Sequence, residues 1–100
     1  DECVYIYAHT EKIIFSVAKI LPGQHGMLDP GHEDAHEVAY VIKGEVVFEF
    51  PDSNEWLELH AGDAVLIPEG EAHEIMNVGD ETALVSWSLA PHLGRPPLSN

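Results

Sequence analysis

The sequence predicts an all-β domain, a sandwich or barrel built from about eight short strands. Apolar, β-branched and aromatic residues are grouped in short runs, and several runs alternate between apolar and polar residues as half-buried strands do. Clusters of Gly, Pro, Asn and Asp separate these runs at near-regular intervals. No segment has a convincing helical pattern, and 100 residues suffice for one hydrophobic core but not for two.

The strand limits follow from the ends of the apolar runs. The predicted strands are residues 4–8, 13–21, 38–42, 46–50, 56–60, 64–67, 73–78 and 82–89. A polar connection separates the first two, which predicts an antiparallel pair. In the seventh, His73, Ile75 and Asn77 share one face, because neighbouring side chains in a strand point to opposite faces. Residues 22–35 form a long loop rich in Gly and Pro, and long ordered loops are often functional.

The composition excludes several classes of partner. The chain has 18 acidic and 4 basic residues, a net charge of −14, so its surface repels nucleic acid and anionic membranes. No stretch approaches the roughly 20 apolar residues of a membrane helix, and the N-terminus has no basic signal region. We therefore expect a cytoplasmic protein. Cys3 is the sole cysteine, which excludes an internal disulfide, and we expect its side chain to be buried in the first strand.

The turn between the sixth and seventh predicted strands is the most informative stretch. The apolar run Ala64–Ile67 is ended by Pro68, Glu69 and Gly70, residues typical of a turn. The chain then enters the strand that begins at His73. This places one imidazole at the mouth of an apolar interior, which is a suitable position for a metal ligand or for a polar anchor in a pocket.

The same stretch, residues 62–77, resembles the second conserved motif of the cupin superfamily, G-x5-P-x-G-x2-H-x3-N. The five fixed positions are filled by Gly62, Pro68, Gly70, His73 and Asn77. The resemblance implies a double-stranded β-helix, or jelly-roll barrel, of the small single-domain cupin type. It implies one cupin domain over residues 1–100, in which we expect residues 91–100 to form an extended tail because they contain several prolines.

Residues 31–44 resemble the first cupin motif, with one departure. Glu37 and Gly44 match the motif, and His32 suits its second histidine. The first histidine falls at Pro30, which has no ligand atom.

The resemblance implies a metal held by His32, Glu37 and His73, whereas the family usually uses three histidines and one glutamate. The candidates of lower rank for a fourth ligand are His36, Asp29 and His25. Two histidines and one carboxylate form a facial triad of the kind that binds non-haem Fe(II), and Mn, Ni, Co, Cu or Zn would also bind these donors. The alternative is a degenerate site, in which both histidines are hydrogen-bonding residues of a pocket and Glu37 forms an ion pair.

Residues 32–36 also spell H-E-x-x-H, the signature of zinc proteases. That chemistry requires a helix that places both histidines on one face. Pro30-Gly31 precede this segment and the β-branched run Val38–Ile42 follows it, so there is no room for the helix. We therefore predict that the protein is not a protease.

Two classes of function remain from the sequence. The first is a metal-dependent enzyme acting on a small oxygen-bearing substrate, since dioxygenases, isomerases, decarboxylases and lyases occur in families that this chain resembles. Tyr40, Met76 and Trp87 are the expected pocket residues. The second is a non-catalytic cupin that binds a small ligand.

The first strand suggests self-association. Residues Val4–Tyr7 are apolar at positions that face both sides of the strand, more than a one-sided surface strand needs. Proteins similar to this one commonly form dimers through N-terminal strands. We therefore predict a homodimer mediated partly by this segment.

Overall fold

Eight β-strands make up the described part of the protein, residues 2–26 and 28–91 of a computed structural model. The strands are β1 (Glu2–His9), β2 (Ile14–Ile20), β3 (His36–Lys43), β4 (Glu45–Phe50), β5 (Glu55–His60), β6 (Ala64–Ile67), β7 (Glu74–Asn77) and β8 (Ala83–Ala90). The all-β prediction is confirmed, since these residues contain no helix. The described residues therefore include no helix that is long and apolar enough to cross a membrane. Most of the predicted tail, residues 92–100, lies outside the described residues.

The strands form two antiparallel sheets. One has five strands in the order β1-β2-β8-β3-β6, and the other has three in the order β5-β4-β7. Alternation along the strands turns one apolar face of each sheet inward, and side chains from both sheets form a single core. The largest fully buried side chains are Phe48, Ile20, Ile67, Val41, Val46 and Val85.

β1 lies at the edge of the five-stranded sheet and is largely uncovered. Its only paired neighbour among the described strands is β2. The expected burial of Cys3 is wrong, because this side chain is exposed on the edge strand of the sheet. Tyr5 and Tyr7 are also exposed, at 48% and 69%.

The connection between β2 and β3 runs back along β7. Asn77 N donates to Gln24 O at 2.9 Å, and Gly26 N donates to Ile75 O at 2.9 Å. Further along, Asp29 and His73 exchange two backbone hydrogen bonds of 2.8 Å each. The backbone at residues 24, 26 and 29 therefore extends the three-stranded sheet beyond β7, and this pairing determines which side chains of the long loop reach the site.

Asn77, the last residue of the second motif, has a structural role. Its Nδ2 donates to Ile20 O and to Glu81 O, both at 2.9 Å, and its Oδ1 accepts from Gly79 N at 2.8 Å. The side chain is only 2% exposed, so these three bonds satisfy a buried amide. They fix the end of β2 and the β7–β8 connection to β7.

Candidate metal centre

A close contact between two backbone segments brings the long loop onto the turn before β7. Gly31 has φ +92°, and a Cβ at this position would lie 2.7 Å from the carbonyl carbon of Gly70 and 2.8 Å from Glu71 N. Gly70 N donates to His32 O at 3.0 Å. Only glycine permits this approach, because any side chain at residue 31 would overlap the backbone of the turn.

Three side chains converge where the loop, β3 and the start of β7 meet. Glu37 points inward from β3, and His73 stands directly before β7 with Asp29 paired opposite it. One ligand atom from each of these residues lies within 4.8 Å of the other two. His73 Nε2 is 3.3 Å from Glu37 Oε1 and 3.7 Å from Asp29 Oδ2.

The hydrogen bond made by His73 Nδ1 determines the tautomer of this imidazole, and so the state of the nitrogen that faces the carboxylates. His73 Nδ1 lies 2.9 Å from the backbone carbonyl oxygen of Glu71. A carbonyl oxygen only accepts, so Nδ1 carries the proton and donates it. In the neutral imidazole, Nε2 then presents a lone pair toward the two carboxylates.

With a neutral imidazole, the three convergent atoms are all hydrogen-bond acceptors. Glu37 Oε1 is buried and, among the residues that the structure describes, has no hydrogen-bond partner of suitable geometry. A buried polar oxygen without a partner is costly, and two carboxylates facing a lone pair repel one another. A positive charge between them removes both costs. That charge is supplied either by a proton on Nε2 or by a metal ion.

Electrostatics of the metal-free site favour a positive charge at its centre. Burial opposes protonation of His73, but its contact with Glu37, its bond to the Glu71 carbonyl and the charge of Asp29 together raise its pKa. Burial acts against ionisation of Asp29, but the hydrogen bond from His32, the Gly31 N–H and the charges of both histidines together lower its pKa. The site therefore favours an ionised Asp29 carboxylate beside a cation.

His32 lies beside this group rather than within it. Its Nε2 is 3.5 Å from Asp29 Oδ2, and this interaction raises the pKa of His32 despite partial burial. The sequence ranked His32 above Asp29 as a ligand, whereas the structure places the Asp29 carboxylate in the group. The only local signal for Asp29 is its position next to Pro30, where the family motif has its first histidine.

The other two candidate ligands are directed elsewhere. His25 is 62% exposed and pairs with Glu74 at 3.1 Å, and His36 is 58% exposed with Glu69 at 3.9 Å. Residues 33 and 34 form a turn and β3 starts at residue 36, so the H-E-x-x-H segment is not helical. The geometry of a zinc protease is absent from this described segment.

One of the three expected pocket residues contacts the site. The Trp87 ring lies 5.9 Å from that of His73 and 5.6 Å from that of Phe48, between centroids. Tyr40 is 44% exposed on the outward face of β3, and Met76 points away from the face that carries His73. The expectation for Tyr40 and Met76 is therefore corrected: neither faces this site.

Solvent reaches the site from one side. The side chains of His73 and Glu37 are 3% and 12% exposed, whereas those of His32 and Asp29 are 29% and 35% exposed. His73 and Glu37 form a closed inner wall, and the loop residues His32 and Asp29 form the open rim. A small molecule would therefore approach past Asp29 and His32.

Comparison with known proteins identifies the family. Residues 16–89 match the Cupin domain family, Cupin_2. The chain is 37% identical over 86 residues to germin-like protein subfamily 3 member 2 of Arabidopsis thaliana, covering 81% of this chain and 37% of that protein. The chain thus spans little more than a third of the length of this curated relative.

Two solved structures have the same fold. A Klebsiella pneumoniae protein with a double-stranded β-helix domain has a TM-score of 0.85 at 24% identity, covering 92% of this chain and 78% of the other. A predicted oxalate decarboxylase from Thermotoga maritima has a TM-score of 0.73 at 27% identity, covering 81% of this chain and 68% of that one. With two antiparallel sheets around one core and a family match over most of its length, this chain belongs to the cupin family.

Proposed function

We propose that the protein binds a divalent transition metal through Asp29, Glu37 and His73. The observation that supports this is the convergence of three acceptor atoms, one of them a buried carboxylate oxygen that has no hydrogen-bond partner among the described residues. The His73 tautomer set by the Glu71 carbonyl leaves Nε2 free for coordination. His32 joins as a fourth ligand or positions Asp29, since its Nε2 already contacts that carboxylate.

The donor set favours particular ions. Two carboxylate oxygens suit Mn²⁺, and imidazole nitrogen suits Fe²⁺ and Zn²⁺. Compared with three histidines and one glutamate, a set with Asp29 in place of a histidine carries one more negative charge. We therefore propose Mn²⁺ or Fe²⁺ as the resident ion, ahead of Cu²⁺ or Ni²⁺.

The proposed activity is chemistry on a small oxygen-bearing substrate, of the decarboxylase, dioxygenase, isomerase or lyase type. A bound ion would supply Lewis-acid polarisation of substrate oxygens or activation of dioxygen. The residues of the chain supply the surroundings: Glu37 and His73 form the closed wall, and Trp87 packs against the imidazole. His32, beside Asp29 at the rim, is placed to hold and transfer a proton as substrate enters. The likeness to a predicted oxalate decarboxylase supports small carboxylic acids as the first substrates to test.

Metal analysis tests the proposal. Protein purified without added metal is analysed by mass spectrometry of its elements, then stripped with chelator and titrated with Mn²⁺, Fe²⁺ and Zn²⁺. We expect about one ion per chain, bound with protons released as the imidazole gives up its charge. His73→Ala should retain less than about a tenth of the metal, because the variant loses one of three ligands.

His25→Ala is the matched control, since His25 is an exposed histidine paired with one carboxylate outside the group. It should bind metal like the wild type. Equal metal content in His73→Ala and wild type would overturn the proposal. A wild type that binds none of the three ions would instead support the ion-paired site, in which a proton on His73 Nε2 balances Glu37. Metal-loaded protein is then assayed for carbon dioxide release from oxalate, with His73→Ala as the blank.

A further inference from the structure

The inner face of β2 carries one polar residue among apolar ones. Ile14, Ala18 and Ile20 point into the space between the two sheets and are at most 8% exposed. Ser16 lies among them with the same orientation and is only 6% exposed. None of the side-chain hydrogen bonds among the described residues involves its hydroxyl. A buried hydroxyl without a partner is costly, and this cost is removed if the hydroxyl meets a bound molecule.

The pairing registers place Ser16 one layer deeper between the sheets than the candidate metal centre. Glu37 is paired with Leu89 of β8, whereas Ser16 is paired with Trp87, two residues earlier on the same strand. Ser16 and Glu37 are therefore separated by two strand spacings and two residues. With strands about 4.8 Å apart and a rise of about 3.4 Å per residue, their Cα atoms lie roughly 12 Å apart.

The interior is open along this diagonal. Trp87 and Leu89 point inward from β8 and are only half-buried, although β8 is the central strand of its sheet. The next layer down is completely buried and consists of Ala18, Val85 and Val41. The interior is therefore filled below Ser16 and accessible above Trp87 and Leu89. A molecule bound at the metal centre would lie against these two side chains and end at Ser16.

We propose that Ser16 is a specificity-determining residue, which hydrogen-bonds the end of the substrate that is remote from the metal; this inference rests on the proposed function. The side chains of Glu37 and Ser16, a metal–oxygen bond and one hydrogen bond take up part of the 12 Å separation, and roughly 5–7 Å remains for the substrate. One six-membered ring spans this length between its opposite substituents. A ring of this size would pack against the Trp87 indole.

The remote end of the substrate is uncharged. The three lysines in the described part of the chain are all exposed: Lys12 in the β1–β2 turn, Lys19 on β2 and Lys43 at the end of β3. Ser16 thus offers a neutral hydroxyl, and an ionised group beside it would lose hydration without gaining an opposite charge. At the other end, a bound cation can hold one carboxylate. The substrate class is therefore a cyclic or aromatic monocarboxylate with a neutral hydroxyl or carbonyl group across the ring.

The test measures binding of four acids to Mn²⁺-loaded protein by calorimetry near pH 7. The wild type should bind 4-hydroxybenzoate about fivefold more tightly than benzoate. Terephthalate, which places a second carboxylate at the remote end, should bind about tenfold more weakly than 4-hydroxybenzoate. Ser16→Ala should remove the preference over benzoate and leave the affinity for oxalate unchanged, because oxalate is too short to reach residue 16. Ser88→Ala is the matched control, since Ser88 is paired with Phe15 on the outward face, and it should keep the preference.

The stability of the ligand-free variant separates recognition from a structural role. Ser16→Ala removes an unpaired hydroxyl from an apolar row, so it should melt at the same temperature as the wild type or a few degrees higher. A lower melting temperature would overturn the inference, because the hydroxyl would then be satisfied within the fold.

The binding data can overturn the inference independently of the metal centre. An equal preference for 4-hydroxybenzoate in wild type and Ser16→Ala would do so, as would a protein that binds oxalate but neither benzoate nor 4-hydroxybenzoate. Terephthalate bound as tightly as 4-hydroxybenzoate would overturn the uncharged remote end. In all three cases the metal centre itself stands. A wild type that does not bind Mn²⁺ would instead overturn the proposed function, and this inference with it.

Discussion

The two halves of the candidate metal centre are held in different ways. Glu37 lies within the β3 ladder and His73 immediately precedes β7, and the side chains of both are nearly excluded from solvent. Asp29 and His32 lie on the β2–β3 connection, held by one backbone pairing and one glycine contact, and about a third of each side chain is exposed. We infer from this comparison a division of function between the two halves. The strand half determines whether an ion binds, and the loop half determines how solvent and substrate reach the bound ion.

The sharpest test of this division compares one residue from each half. Glu37→Gln should lower metal affinity more than 100-fold, because loss of a group that merely supports a ligand already costs about 10- to 100-fold. His32→Gln should cost about tenfold, since its Nε2 contacts Asp29 at the open rim. Calorimetric titration with Mn²⁺ measures both variants. Equal losses would show that the two halves contribute alike.

The strand half also depends on Asn77. Asn77→Ala removes three hydrogen bonds from a buried position and leaves the Ile20 carbonyl without its donor. We expect the free energy of unfolding to fall by about 2–4 kcal/mol. Denaturant titration of metal-free protein measures the change. Asn54→Gly is the control, because Asn54 has φ +56° in an exposed turn where glycine is equally suited; a similar loss in both variants would contradict a specific role for Asn77.

The loop half depends on the approach of Gly31 to the turn. Gly31→Ala introduces a Cβ at an overlapping distance from the Gly70 backbone. We expect a stability loss of about 1–3 kcal/mol and weaker metal binding, because the loop must move away from the turn. Gly23→Ala separates the two causes, since Gly23 has φ +80° but open space around its Cβ. Equal losses at both positions would mean that backbone strain, rather than the contact, explains the effect.

The smallest effect is on pH dependence. His73 has a raised pKa in the folded, metal-free protein, so its stabilising contribution is fully present below its unfolded value, about 6.5. That contribution is lost as pH rises through the raised folded pKa. Asp29 has a lowered pKa, so its contribution is lost only as pH falls through that lowered value.

Thermal melting from about pH 5 to pH 9 should therefore show metal-free protein losing stability on the alkaline side. Saturating metal should remove this loss, because the ion replaces the proton between His73 and the carboxylates. His73→Ala should not show the alkaline loss. The same alkaline decline in wild type and variant would assign it to another group.

Sequence alone could predict the strand half of the site. All eight strands and the shared face of His73, Ile75 and Asn77 follow from local alternation, and each is observed. The same alternation places Tyr40, three residues after Glu37, on the opposite face of β3. The pocket prediction did not use this consequence. Asp29 could not be ranked correctly, since its position depends on pairing with a residue more than 40 positions away through an irregular loop.

The position of Trp87 has a spectroscopic consequence. The chain has two tryptophans, and the other, Trp56, is 71% exposed on the opposite sheet. The Trp87 ring lies tilted against the His73 ring, so we expect its emission to respond to the charge and the magnetic state of whatever occupies the site. A paramagnetic ion bound there should quench Trp87, whereas dissolved iodide should reach Trp56 first. In a Trp56→Phe protein, Trp87 is the single remaining tryptophan, and occupancy of the site is measured as a change in its fluorescence intensity.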